Sequence, residues 1–413
     1  MVPDGWKLRK LDDLGEKNKP AIKAGPFGSA LKKEFYVKAG YKIYGQEQVI
    51  ANDYDYGNYY IDEEKYLSLK SCAIKPGDIL ISLVGTVGKV LLMGQDCQPG
   101  VINPRLLRIS TSQNLLDSLF LKYFLESENT ANTLQSWAQG GTMGVLNAEM
   151  IKRLPILCPP LPEQKKIAQI FSTWDKAITT TEQLLANSQQ QKKALMQQLL
   201  TGKKRLLDEN GVRFSGKWRN YSLGEFSQIT TGTSKSKFIS KTGHNYIIDM
   251  GSITREGKLL PSKRTDIKSD FLKAGQLVMP KDDIGGGNII GKVGMIDRNN
   301  KYILADHVYA LKIINHDSLF ISYIINSHCI NKSIRRKANG TAQLGLSKKD
   351  VLKQNIYMPS DINEQQKIAS VLSAADKEIS ALQQKLDMLK QEKKTLMQQL
   401  LTGKRRVKVE EAI

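Results

Sequence analysis

The string Gly286-Gly287-Asn288-Ile289-Ile290-Gly291-Lys292-Val293 satisfies the G-x-x-x-x-G-K spacing of a phosphate-cradling loop, but ends in Val where a magnesium-binding Ser or Thr hydroxyl is required. Its relative Gly88-Lys89-Val90 has Leu83 where the first glycine would belong. Both triplets read as fold elements, and ATP binding is not expected. Asn103-Pro104-Arg105 falls short of the Asn-Pro-Pro-aromatic string with which an amino-methyltransferase grips a flipped base. No paired-carboxylate nuclease pattern with a nearby Lys stands out, and Asp282-Asp283 has no counterpart in the other half. Cys72, Cys97, Cys158 and Cys329 are scattered singly, which reads as reduced thiols, and His244, His307, His316 and His328 lack the H-E-x-x-H spacing of a zinc site. The chain reads as non-catalytic, with neither metal nor cofactor of its own.

Binding chemistry is better represented. With 61 Lys and Arg against 41 Asp and Glu, the formal charge is +20, which favours a polyanionic partner through counterion release. Nucleic acid and an anionic membrane surface both fit. No window approaches the roughly 20 apolar residues needed to span a bilayer. The start, Met1-Val2-Pro3-Asp4-Gly5, lacks a signal-peptide plan, so a cytoplasmic protein with no membrane partner is expected. Two loops mix small, polar and basic residues: Lys23 to Lys33, and Thr230 to Lys237. Ser29, Lys32, Lys33, Thr233, Lys235 and Lys237 are candidate phosphate contacts, and Thr142, Lys281 and Thr341 join them. Bidentate base reading needs amides or guanidinium groups, for which Gln46, Gln48, Asn52, Arg105, Asn288 and Gln343 are loop-placed candidates.

The elements that must position these residues come in duplicate. Glu163 to Arg205 matches Glu364 to Arg406 at a constant offset of 201, including the runs Lys192–Gly202 and Lys393–Gly403. Outside this stretch the offset wanders: Asp117-Ser118-Leu119-Phe120 answers Asp317-Ser318-Leu319-Phe320, and Trp6 answers Trp218. The chain is a tandem repeat of a variable globular part and a fixed rod. In the first rod a 3-4 spacing selects Ile167, Phe171, Trp174, Ile178, Thr181, Leu185, Ser188, Lys192, Leu195 and Leu199. The second gives Ile368, Leu372, Ala375, Ile379, Leu382, Leu386, Leu389, Lys393, Leu396 and Leu400. These are coiled-coil seams of about five heptads. Asp361 and Glu364 suggest a capping box, while Gly202 and Gly403 suit the left-handed stop position ahead of Lys203-Lys204-Arg205 and Lys404-Arg405-Arg406. Antiparallel pairing with aligned ends sets Thr181 against Leu386, Ser188 against Ile379, Lys192 against Ala375 and Trp174 against Lys393, whose charge would lie over the indole. Strands are expected over Asp78–Val84 and Gln276–Met279, and helices around Asn114–Glu126 and His316–Ser327. The fold expected is α+β, with two α/β-type domains joined by two long helices in an antiparallel coiled coil with pseudo-two-fold symmetry. The divisions are a first globular domain over 1–160, a long helix over 161–205, a linker over 206–217, a second domain over 218–360, a long helix over 361–403 and a tail over 404–413.

Several motifs together resemble the specificity subunit of type I restriction-modification systems. They are Gly5-Trp6 with Leu11, Gly25-Pro26-Phe27-Gly28-Ser29, Pro76-Gly77-Asp78, Pro159-Pro160-Leu161-Pro162-Glu163-Gln164, Ile167-Ala168 and the exit Leu199-Leu200-Thr201-Gly202. The second half departs from the pattern at Pro359-Ser360-Asp361-Ile362-Asn363-Glu364-Gln365 and has no Gly-Pro-Phe-Gly-Ser counterpart. The resemblance implies a non-catalytic subunit binding an asymmetric two-part site in double-stranded DNA. Two modification subunits would supply adenine-N6 methylation with S-adenosylmethionine, and two restriction subunits ATP- and magnesium-dependent translocation and cleavage. The alternative is a stand-alone architectural or repressor protein with the same two heads.

Overall fold

The computed structural model describes residues 2–17, 19–139, 145–283, 286–340 and 344–409. It divides into two compact units, Met1–Glu182 with Gln384–Ile413, and Gln183–Gln383, so each boundary falls inside a long helix.

In the first unit the strands are β1 (Lys7–Lys10), β2 (Ile22–Ala24), β3 (Tyr41–Tyr44), β4 (Tyr60–Ile61), β5 (Ile79–Ser82), β6 (Val90–Leu92), β7 (Gly100–Ile102), β8 (Leu106–Ile109) and β9 (Pro155–Cys158). An antiparallel sheet of order β2-β8-β5-β6 stands beside a sheet of order β4-β3-β7, in which β3 and β7 run parallel, and β1 pairs with β9. In β5 successive side chains point to opposite faces, yet all are buried. Ile79 and Ile81 pack with Phe120 and Phe171 in one core, whereas Leu80 joins Ile43 and Val101 in another. This explains a continuous apolar run where a solvent-facing strand would alternate.

The second unit repeats the plan with β10 (Trp218–Ser222), β11 (Ser227–Thr231), β12 (Asn245–Ile248), β13 (Arg264–Thr265), β14 (Leu277–Pro280), β15 (Asp282–Asp283), β16 (Gly294–Met295), β17 (Tyr302–Leu304), β18 (Val308–Ile313), β19 (Leu344–Gly345) and β20 (Asn355–Pro359). Its sheets are ordered β11-β18-β14-β16, β13-β12-β17 and β10-β20, and β15 pairs with β19 in addition. The helices Ser118–Glu126 and Ser318–Asn326 begin where Asp117 and Asp317 accept hydrogen bonds from the Phe120 and Phe320 amides.

The long helices span Leu161–Leu199 and Ile362–Leu400, and both stop at glycines in the left-handed region, Gly202 at φ 71° and Gly403 at φ 70°. Within the first unit the start of one helix runs antiparallel to the end of the other: Arg406 binds Glu163 through two nitrogens and Lys393 reaches Asp175 at 2.5 Å. The second unit forms the matching pairs, Arg205 with Glu364 and Lys192 with Asp376 at 2.6 Å. Tyr123 and Tyr323 each donate a 2.7 Å hydrogen bond to the second oxygen of the same aspartates.

The seam residues are all buried or half-buried, and Thr181, 4% exposed, donates its hydroxyl to the Ala177 carbonyl. The expected register is close, but Lys192 meets Asp376 rather than its neighbour Ala375. The stacking of Lys393 on Trp174 is corrected. Its ammonium lies over the Tyr123 ring, 5.1 Å from the centroid, because Asp175 draws it there. Trp174 instead lines a groove with Gln391 and Thr395. The capping box is corrected too. Asp361 caps the Asn363 amide, but the Glu364 carboxylate is held by Arg205 rather than turned back to the cap. The 206–217 stretch contains a tight turn in which the Asp208 carboxylate accepts from the Asn210 and Val212 amides.

Candidate nucleic-acid interface

Strands β2, β3, β5 and β7 end, and β8 begins, along one edge of the first unit, so loops far apart in sequence are bonded together there. The Asn103 amide donates to the Tyr44 carbonyl at 2.8 Å, Leu83 to Arg105 at 3.0 Å and Leu146 to Leu83 at 3.1 Å. Gly25 is obligatory in this frame, since a Cβ on it would lie 1.9 Å from the Asn103 carbonyl oxygen. The second unit makes the same bonds with different residues: Ala305 to Ile248 at 2.9 Å, Lys281 to His307 at 3.0 Å and Leu346 to Lys281 at 2.7 Å. Gly232 takes the place of Gly25, with its Cβ position 2.1 Å from the Ala305 carbonyl oxygen.

The candidate binding residues gather on these two edges. Ser29, Lys32 and Lys33 are exposed on the loop after β2, with Lys32 3.7 Å from Glu34, and Asn52 and Arg105 are exposed too. Gln46 is half-buried and donates to the Val84 carbonyl, holding two of the loops together. Gln48 is a correction. It lies in the helix Gln46–Ala51 and is fully buried, its amide bonding the Gly45 N–H and the Tyr56 carbonyl at 2.8 Å each. An amide so buried, with one donor and one lone pair bound to the backbone, supports the loop rather than facing a base.

In the second unit Thr233 and Lys237 are exposed, and the Lys235 ammonium donates to Thr233 at 2.8 Å. Lys281 packs over Tyr309, and Asn288 is exposed on the loop that follows β15. Thr142, Thr341 and Gln343 lie outside the described residues. The two edges differ in chemistry at equivalent points. Where the first presents Arg105, the second presents His307 at φ 64°, its Nδ1 2.5 Å from Asp282 and its Nε2 3.6 Å from Asp306.

Sequence reasoning missed the exposed apolar groups on the same loops. Phe27 is 88% exposed, and Phe238 and Ile239 are about half exposed after β11. The signal was available at Phe27, a large apolar side chain set between Gly-Pro and Gly-Ser, where no periodicity could bury it. Both Gly-Lys-Val triplets are fold elements, with Gly88 at φ 77° and Gly291 at φ 70° packed against Leu134 and Ile334 respectively.

The description "Type I restriction modification DNA specificity domain" matches residues 3–187 and again 215–391. The chain belongs to this family. The type I restriction enzyme MjaVIII specificity subunit of Methanocaldococcus jannaschii is 26% identical over 359 residues, covering 82% of this chain and 81% of that protein. The putative MjaX specificity subunit of the same organism is 25% identical over 426 residues, covering 98% and 95%. Among solved structures, the type I restriction-modification S subunit from M. genitalium superposes with a TM-score of 0.60 at 14% identity, covering 97% of this chain and 96% of that one. A chain from a structure of type I restriction-modification complex assembly and conformational transition gives 0.53 at 15% identity, covering 98% and 100%. The chain is thus a specificity subunit with two tandem recognition domains. Among its described residues no helix is long and apolar enough to cross a membrane.

Proposed function

We propose that each loop edge reads one half of an asymmetric, two-part site in double-stranded DNA, and that the long helices set the gap between the halves. The observation that carries this is the shared frame with unlike contents: the same backbone bonds at Leu83 and Lys281, but Arg105 on one edge and His307 between two carboxylates on the other. A guanidinium favours guanine, whereas a histidine flanked by acceptors presents a different pattern to a base edge. Catalysis belongs to partners: two modification subunits using S-adenosylmethionine, and two restriction subunits using ATP and magnesium. The division into domains at 1–160 and 218–360, with helices to 205 and 403, assigns reading to the former and assembly to the latter.

A pair of matching grooves supports docking in two copies. In the first unit Lys393, Met397 and Leu401 face Phe124 and Trp137, and in the second Lys192, Met196 and Leu200 face Ile324 and Tyr357. At these three positions the two walls carry the same residue types, as expected if each receives the same subunit, although Lys390 in the first answers Gln189 in the second.

The test is to produce the chain with its modification subunit and map methylated adenines by sequencing. A two-part motif with a fixed gap is expected. Phe27→Ala is expected to lower methylation about tenfold by removing an apolar contact to a thymine methyl or base step, with the melting temperature unchanged. A single uninterrupted palindrome as the methylated motif would sink the reading.

A further inference from the structure

The second unit holds a basic cleft. Arg255, Lys292, Lys332, Arg335 and Arg336 surround a cavity of about 620 Å³ with Asn331, and among the described residues that line it there is no carboxylate. Asn331 is 4% exposed, and its side-chain nitrogen has no hydrogen-bond partner among the described residues. Burial, and next the charge of Arg335, hold the Lys292 ammonium below its usual range, against a smaller opposite pull from Glu256. Mutually repelling cations around a cavity are relieved by an oxyanion in the cleft.

The walls are the helix His328–Arg335 and the loop from Gly286 to Lys292. Gly291 brings them together, since a Cβ there would lie 2.5 Å from the Ile334 side chain. After Lys292 the chain enters β16 rather than a helix, so the loop is not built to cradle a nucleotide as a strand-loop-helix motif does. The first unit has the same helix at Glu128–Gln139, with Leu134 against Gly88 as Ile334 is against Gly291. There, however, Asn132, Gln135 and Ser136 stand where the second unit has Lys332, Arg335 and Arg336. Glu128, in the place of His328, is paired with Lys394 at 3.0 Å. The cleft adjoins the loop edge through Asn288.

We propose that this cleft is a phosphate site that clamps the sugar-phosphate backbone of the duplex beside the second half-site, so that the two recognition domains hold DNA with unequal electrostatic grip. The proposal rests on the reading that the loop edges face DNA. It is tested by titrating the full-length chain with a random-sequence duplex over a series of KCl concentrations. Lys332→Gln, Arg335→Gln and Arg336→Gln together are expected to weaken binding at low salt by about tenfold or more. The slope of log K against log salt should become shallower by about one for each phosphate that the variant leaves unneutralised. An unchanged slope in a variant that melts like the parent overturns the proposal. Should that variant misfold, the converse decides: Asn132→Lys, Gln135→Arg and Ser136→Arg on the first unit are expected to steepen the slope, and failure to do so counts against it. If inorganic pyrophosphate raises the melting temperature of the parent but not of the glutamine variant while their salt slopes agree, the cleft serves a free anion and the clamp is refuted. Absence of duplex binding by the parent chain would instead defeat the reading of the loop edges.

Discussion

His316 shows how a single position departs between repeats with a measurable consequence. Its ring packs edge-on against Tyr221 and Phe226, and the Gln365 side-chain nitrogen lies 2.9 Å from Nδ1. The Gln365 oxygen accepts from the Asp317 amide at 3.0 Å, so its nitrogen can donate only to an unprotonated ring nitrogen. Burial holds the His316 imidazole below its ordinary range. A histidine with a depressed folded pKa contributes stability that is complete above the unfolded value near pH 6.5 and is lost as pH falls through the folded one. Leu116 occupies the same place before Asp117 in the first unit. His316→Leu is therefore expected to flatten the decline in melting temperature between about pH 7 and about pH 5; an undiminished decline would show that another group drives it. The sequence marked His316 only as a histidine without a metal partner. Its burial depends on the sheet order and the long helix that close over it, which no local spacing encodes.

At the scale of elements, each long helix is anchored at its start by an arginine from beyond the stop glycine of the other. Glu364 is fully buried, Arg205 binds it through two nitrogens and also reaches the Gly216 carbonyl, and the guanidinium lies over Trp218. Arg205→Ala leaves a buried carboxylate unpaired and is expected to cost about 3–5 kcal/mol in denaturant unfolding, whereas Arg205→Met with Glu364→Leu should cost much less. Equal losses in both variants would mean that the arginine acts through packing alone. The helices themselves were legible in sequence because five heptads of apolar spacing and a terminal glycine leave few other solutions. Their register was legible to within a residue or so, and the error has a cause. Aligning apolar seams ignores Asp175 and Asp376, which flank the seam and draw Lys393 and Lys192 out of it. The loop edges were legible only as scattered residues. The loops that carry Lys33, Asn52 and Arg105 follow or join strand ends brought together by the pairing of β3 with β7 and of β2 and β5 with β8, long-range choices that alternating hydrophobicity leaves open. Gln48 was misplaced for the same reason, since nothing near it announces a carbonyl at Tyr56 that needs its amide.

For the whole molecule, the duplication predicts what half of it does alone. The core of the first unit is completed by residues from the far end of the chain: Leu400 and Leu401 are buried in it, Leu396 and Met397 pack against it, and Arg406 holds Glu163. A fragment of residues 1–205 lacks all of them, yet it carries Leu195, Met196, Leu199, Leu200 and Arg205, the same residue types at the same spacing. These cannot fold back onto their own core, because they end the same continuous helix whose start, at Glu163, they would have to meet antiparallel. A second copy can supply them, each fragment lending its helix end to the other, in the closed two-fold exchange that identical chains favour. The fragment is expected to sediment as a dimer and, with the modification subunit, to methylate an inverted repeat of the first half-site. Arg205→Ala within the fragment should weaken that dimer about a hundredfold or more, since each copy then buries an unpaired Glu163. A folded fragment that stays monomeric at every concentration would mean that the first unit does not need the helix end it is seen to bury.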